Sequence, residues 1–432
     1  MKPTTFLPLL LLGAALTAPA AAQTGRTVIH AGQLLAEPGK PVRGAATIIV
    51  ENGRIVAIAD GHQPAEPGAR LIDLRDKYVL PGLIDSHVHL TSDAGGLAGQ
   101  LEEITLSPAA QAFNAQVNGL KTLRAGFTTV RNLGDGDGVT LALRDAIAAG
   151  KTQGPRIVDA GASLSGSAGH MDGSLGYRDE LHPFFAGAGN TCDGADDCRR
   201  AARRQIGRGA DVIKFASTGG VNSRIGAGLG KQMFDDEAQA IVDTAHMFGK
   251  KVAVHAHGAD GIRLALSAGA DSIEHGTILD EATIAQWAKS KTYYVPTLST
   301  VNGYKERLAA NPDAYEPDVL AKIQWRIAIT GKSLEQLVPR GVRIAFGTDA
   351  GVSKHGRNAD EFELLVRHGL TPVEALKAAT VNAADLLGLS DQIGTIAPGK
   401  SADIIAVAGD PVADVTVLKK VDFVMARGRV VE

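Results

Sequence analysis

The sequence predicts an α/β architecture: a parallel (β/α)8 TIM barrel with a small β-sandwich domain built from both chain ends. Three observations predict it. From about residue 81 to 390, short apolar runs alternate with Gly-containing turns and Ala/Leu-rich stretches, as in TTVRNLG followed by VTLALRDAIAAG. Repeated strand, turn and helix units of this kind build a parallel sheet. Eight strand candidates can be counted, at 82–89, 127–133, 156–163, 211–217, 251–257, 271–275, 292–298 and 342–349, and eight close a barrel. Finally, side chains able to bind metal stand near the C-terminal ends of these runs. Residues so far apart in sequence meet only if the strands surround a common centre.

The elements follow in chain order. Residues 1–22 read as a secretory signal: Lys2 gives the positive start, FLPLLLLGAAL the apolar stretch and Ala20-Ala21-Ala22 the small-residue cleavage site before Gln23. The apolar stretch is too short to span a bilayer, which takes about 20 residues, so the mature chain is expected to be exported, periplasmic or secreted, with no membrane anchor. Residues 23–80 read as short alternating strands broken by Gly, Pro and Asn-Gly turns, with Asn52-Gly53 between IIVE and RIVAIA as a hairpin. The same texture returns at 394–432, and the two ends together are expected to form the sandwich. The barrel, 81–393, is inserted between them. Its long Gly/Ser-rich stretches after 163 and after 217 are expected to be loops over the site.

The 432 residues, 44% hydrophobic, suffice for a barrel plus a second unit. A net charge of −3 lacks the basic footprint of a nucleic-acid binder. The two cysteines, Cys192 and Cys198 in GNTCDGADDCRR, are expected to form a small disulfide loop in an oxidising compartment.

The chemistry concentrates in VLPGLIDSHVHL, DVIKFAST, KVAVHAH, DSIEHG and RIAFGTDAG. These carry His87 and His89, Lys214, His255, His275 and Asp349. Side chains two apart on a strand point the same way, so His87 and His89 can grip one ion together. Imidazole nitrogen and carboxylate oxygen suit a divalent ion such as Zn²⁺. One His-x-His pair alone is a weak signal; the order His-x-His, Lys, His, His, Asp at successive strand ends is much stronger. His257 shares a strand face with His255 and contacts substrate or serves structure. His170, on the loop after the third strand, is a candidate to stabilise an oxyanion or bind a substrate carboxylate. Ser92, Tyr294 and Tyr304 are candidate pocket contacts, with at most one of Tyr293 and Tyr294 facing inward. Arg224 and Arg357 read as solvated surface positions rather than carboxylate clamps.

With these motifs and the ending GTIAPGKSADIIAVAGDP, nearly the whole mature chain resembles the amidohydrolase superfamily. It is most similar to the imidazolonepropionase-like branch, which holds metal-dependent Xaa-Pro dipeptidases, related carboxypeptidases and ochratoxin-degrading amidohydrolases. The resemblance implies two divalent metal ions, Zn²⁺ foremost. His87, His89 and Asp349 would hold the more buried one, His255 and His275 the more exposed one, and a carbamylated Lys214 would bridge them. It implies hydrolysis of the amide bond of a dipeptide or N-acyl amino acid by a metal-bridging hydroxide, with Asp349 as general base. A cyclic-amide or lactone hydrolase of the same superfamily is the alternative. The expected partner is a small-molecule amide or dipeptide, and flat helical faces on a barrel predict a homo-oligomer.

Overall fold

Residues 25–224 and 228–432 are described by the structure, a computed structural model. The expected signal segment, 1–22, lies outside the described residues. The chain opens with β1 (Thr27–Leu34), β2 (Ala46–Glu51), β3 (Arg54–Asp60) and the 12-residue β4 (Arg70–Pro81). Glu51 pairs with Arg54 across the expected two-residue turn. Asn52 and Gly53 both take positive φ there, 50° and 78°, the geometry that matches the twist of a tight hairpin.

The middle of the chain holds β5 (Leu83–Val88), β6 (Phe127–Asn132), β7 (Arg156–Asp159), β8 (Val212–Ala216), β9 (Lys251–Ala256), β10 (Ser272–His275) and β11 (Tyr293–Val295). They pair in parallel as two sheets, β5-β6-β7 and β8-β9-β10-β11. Single parallel bridges join Leu164 to Phe215, Tyr294 to Ile344 and Val88 to Ala350. The result is a TIM-barrel-like α/β arrangement, with helices such as Val139–Ala148, Asp235–Met247 and Ala259–Ala268 following the strands. Its aliphatic and aromatic core includes Phe127, Phe215, Phe346, Phe362 and Trp287, all fully buried.

The segment 342–349, expected as the eighth strand, is extended but forms no regular strand. Its backbone bonds are divided among several neighbours. Ser86 N donates to Phe346 O at 2.8 Å, while Phe346 N turns to Ala378 O at 3.0 Å and Thr348 N to the Asp85 carboxylate at 3.1 Å. The chain is also crowded at Gly347, where a Cβ would stand 2.4 Å from Val295 and 3.0 Å from the His87 Cβ.

The tail supplies β12 (Ile404–Val407), β13 (Phe423–Ala426) and β14 (Arg429–Val430). In place of a sandwich of two facing sheets, the two ends share one mixed seven-stranded sheet, ordered β14-β13-β12-β4-β1-β2-β3. The cause is the length of β4. One edge pairs in parallel with β1, and its last residues pair antiparallel with β12, from Tyr78–Val407 to Pro81–Ile404. Alternation identified these strands, but division into sheets depends on pairing across more than 300 residues, which alternation does not encode. The face of this sheet packs its own cluster, including Ile29, Ile48, Ile55, Val79, Ile404 and Met425. Among the described residues no helix is long and apolar enough to cross a membrane.

Candidate metal centre

The site is built at the C-terminal ends of the parallel strands, where side chains on βα connections gather in this class of fold. β5 is buried along its whole length and carries His87 as its next-to-last residue, with His89 just beyond its end. β8 contributes Lys214 from its middle, β9 His255 with His257 two residues on, β10 His275 from its last position, and the extended segment after β11 contributes Asp349. His275, Thr297 and Asp349 all have positive φ, at 70°, 51° and 57°. Non-glycine residues keep that backbone only where the surroundings over-determine it, and such positions cluster at functional sites.

Two triplets place ligand atoms within 4.8 Å of one another: His87, His275 and Asp349, and His255, His257 and His275. His275 belongs to both. Asp349 Oδ1 lies 3.4 Å from His87 Nε2 and 3.2 Å from His89 Nε2. This grouping differs from the expected partition in two ways: His275 reaches toward both halves, and His257 stands with the ligands as well as facing the cavity. The imidazoles are fixed from behind. His87 Nδ1 donates to Glu274 Oε2 at 2.8 Å, His257 Nδ1 pairs with Thr277 Oγ1 at 2.8 Å, and His275 Nδ1 with Thr297 Oγ1 at 2.7 Å. Holding Nδ1 leaves Nε2 as the free ligand atom, the usual way a protein orients a metal-binding histidine.

The electrostatics favour cation binding. Burial, reinforced by the nearby Lys214, pushes His87 down to about 4. Burial also pushes His255, His257 and His275 well below the ordinary imidazole value, so all present neutral nitrogen lone pairs near neutral pH. Burial alone would raise the Asp349 carboxyl, but His87, His89 and Lys214 more than offset this and hold it well below the usual carboxylate range. Lys214 is fully buried, and its Nζ has no hydrogen-bond partner. Burial pushes its ammonium down to about 8 against the pull of Glu274 and Asp349. A buried amine left unsatisfied is rare and calls for a reason. Neutral imidazoles, an ionised carboxylate and an orphaned amine together fit a divalent metal site.

The remaining expected residues divide. His170 lines the cavity, its ring 4.2 Å from that of His255, and it fits only because Gly220 has no side chain: a Cβ there would stand 2.2 Å from the ring. Ser92 lines the cavity and donates to Glu102 Oε2 at 2.5 Å. Tyr304 lines it too, its hydroxyl accepting from Asn222 Nδ2 at 3.2 Å. Tyr294 does not. It is fully buried, donates to the His275 carbonyl at 3.0 Å and pairs with Ser333 Oγ at 2.7 Å, so the expected substrate contact is replaced by a prop beneath His275. Arg224 pairs with Glu316 and lies over the Tyr177 ring; Arg357 pairs with Glu306 and Asp360. Cys192 and Cys198 form a disulfide at the start of helix Ala195–Gly207.

Several residues the sequence did not single out support the centre. Glu274 is fully buried and receives Arg131 Nη2 at 2.9 Å, Ser272 Oγ at 2.6 Å and His87 Nδ1. Asp85 accepts from Thr348 Oγ1 at 2.6 Å and Asn358 Nδ2 at 2.8 Å, tying β5 to the segment that carries Asp349. His355 Nε2 donates to the His89 carbonyl at 2.9 Å. Arg307 spans two loops, donating to the carbonyls of Asp93, Ala94, Gly351 and Val352. Apart from Ser272 and Glu274, the partners are distant in sequence, so no local signal pointed to them.

The metal cluster opens into a cavity of about 290 Å³. It joins a second, of about 390 Å³, through His89, Ser92 and Met171, and Phe184 and Phe185 line that second space.

Comparison with known proteins agrees with this geometry. The profile of the amidohydrolase family matches residues 78–431. Ochratoxinase from Aspergillus niger is 33% identical over 413 residues, covering 91% of this chain and 83% of that protein. Imidazolonepropionase from Nocardia farcinica (strain IFM 10152) is 29% identical over 394 residues, covering 85% of this chain and 86% of its own. A crystal structure of a Xaa-Pro dipeptidase with bound methionine in the active site superimposes with a TM-score of 0.88 at 36% identity, covering 94% of this chain and 100% of that one. The chain belongs to the amidohydrolase family, and it is a metal-binding hydrolase that acts on amide bonds.

Proposed function

We propose that this family member is a binuclear-metal hydrolase that cuts the amide bond of a dipeptide or N-acyl amino acid and releases the C-terminal amino acid. The observation that carries this reading is Lys214: a buried amine with no partner, set among neutral imidazoles and an ionised Asp349. An ammonium beside two dications would be repelled. Carbamylation of Nζ would turn it into an anionic bridge, with His87, His89 and Asp349 on one ion and His255 and His275 on the other. When bound, divalent ions such as Zn²⁺ lower the pKa of a shared water and polarise the scissile carbonyl.

The chain's own residues do the rest. Asp349 stays ionised near neutral pH and is placed to accept the water's proton and return it to the leaving nitrogen. Ser223 Oγ accepts from Gly220 N at 3.1 Å and lies 2.7 Å from His170 Nδ1. With the hydroxyl donating to Nδ1, His170 would carry its proton on Nε2 and could donate it to the carbonyl oxygen as negative charge develops there. Ser92 and Tyr304 border the substrate. Bulky aryl amides of phenylalanine are within this reading, since the ochratoxinase relative covers most of the chain.

Export after cleavage behind Ala22 and assembly as a homo-oligomer complete the proposal. N-terminal sequencing of the secreted protein and light scattering test those two points. The function is tested by a hydrolysis panel on Zn²⁺-loaded protein with and without chelator, holding N-acyl amino acids, Xaa-Pro and other dipeptides, aryl amides of phenylalanine, lactones and cyclic amides. Chelator-sensitive release of a C-terminal amino acid is the expected result. Turnover of cyclic substrates alone would move the enzyme to the imidazolonepropionase-like chemistry of its other relatives.

A further inference from the structure

Two arginines are buried near the metal centre, and they are treated in opposite ways. Arg131 is saturated: it bonds Ser86 O at 2.6 Å, Ser272 Oγ at 3.1 Å and Glu274 Oε1 at 2.9 Å. Arg326, on helix Pro317–Ala328, is only 3% exposed, yet its guanidinium has no hydrogen-bond acceptor and no carboxylate in ion-pair range among the described residues. It lines the metal-centre cavity together with His257 and Tyr304. A guanidinium at a cavity wall with no partner among the described residues is placed to receive an anionic ligand.

We propose that Arg326 is a specificity-determining clamp for the α-carboxylate of the substrate. A planar guanidinium pairs bidentately with a carboxylate, a geometry no other side chain lining the cavity offers. Asp349 is the other permanently charged residue on that wall. A substrate carboxylate seated at Arg326 puts the scissile carbonyl toward the histidines. The acyl or N-terminal group then runs past His89 and Ser92 into the second cavity, which Phe184 and Phe185 line. The clamp thus fixes the direction of binding, and with it which residue is released. This rests on the hydrolase reading above and narrows it from amides in general to those with a free carboxylate next to the scissile nitrogen.

The test compares N-benzoyl-L-phenylalanine with its C-terminal carboxamide on wild type, Arg326→Gln and Arg326→Lys, all of verified metal content. Wild type is expected to prefer the acid. Arg326→Gln is expected to lower kcat/KM for the acid by roughly 10- to 100-fold, the worth of a hydrogen bond to a charged group, mostly through KM, and to leave the amide little changed. Arg326→Lys should fall between, keeping charge and losing the fork. Equal loss on both substrates, or undiminished discrimination, would overturn the clamp. Calorimetric binding of L-phenylalanine against L-phenylalaninamide reads it without turnover. Tighter binding of the acid that disappears in Arg326→Gln supports it, and equal binding of both by wild type refutes it. If metal-loaded wild type cleaves neither benzoyl compound nor any linear amide of the panel above, the hydrolase reading fails while the calorimetry still decides the clamp.

Discussion

Beneath the metal-ligand candidates two buried carboxylates are fully partnered; beside the ligands and on the cavity wall, two cations have no partner among the described residues. The floor is made of Glu274 with its three donors and Asp85 with Thr348, Asn358 and the His87 amide. Among the ligands stands Lys214, whose buried Nζ has no partner, and on the cavity wall Arg326, whose guanidinium has none among the described residues. The supporting carboxylates Glu274 and Asp85 have their donors in place, while Lys214 and Arg326 are left for a ligand to complete. Support and chemistry should therefore respond differently to substitution.

The largest expected effect is on turnover. Asp349→Asn should lower kcat by about 10²–10⁴-fold, the range for loss of a positioned acid/base, with the melting temperature little changed. Steady-state rates beside thermal melts check this, and near-normal rates would remove Asp349 as the base. On the floor the pattern inverts. Glu274→Gln strips Arg131 of its charge partner and His87 of its orienting carboxylate, so about 3–5 kcal/mol of stability should be lost and metal affinity should fall by about 10–100-fold. Denaturant unfolding of the variant measures the first, and a variant as stable as wild type would erase the distinction between floor and cavity. Lys214→Ala should lose metal and activity, with partial rescue by short carboxylic acids, and compared metal-free with metal-free it should be as stable as wild type or more so, because it removes an unsatisfied buried group. Full metal occupancy in that variant would sink the bridging role.

The smallest effect concerns pH. Glu361 is buried and accepts from the amides of Leu298 at 2.9 Å and Ser299 at 2.6 Å. Burial raises its carboxyl from 4.5 to about 7 despite those bonds. The folded state thus holds a proton the unfolded chain has released, and this contribution is present below pH 4.5 and lost as pH rises to about 7. Wild type should lose stability across that window relative to Glu361→Gln, and parallel melting curves for the two would contradict it.

How much of this was legible in the sequence follows the same division. His87, His89, Lys214, His255, His275 and Asp349 each end or interrupt an apolar run, so strand periodicity exposed them and the structure brings them to one end of the parallel strands. Tyr294 was misjudged because its run is short: with Tyr293 adjacent, periodicity does not decide which ring faces in, and Tyr293 in fact bonds Asp385 at 2.7 Å while Tyr294 props His275. Glu274 was visible only as part of a motif, since its partner Arg131 lies 143 residues away. Arg307, Arg326 and His355 sit on helices or loops with no local peculiarity. The eighth strand and the sandwich failed for a related reason. Both depend on where backbone groups bond over long distances, as Phe346 N does with Ala378 O, and composition does not record that.

The most direct measurement is the divalent metal content of each chain, by mass spectrometry, in wild type and in Lys214→Ala grown side by side. If the open amine is a metal bridge, wild type holds about two ions per chain and the folded variant loses at least one. Equal metal content in the two proteins would contradict the account.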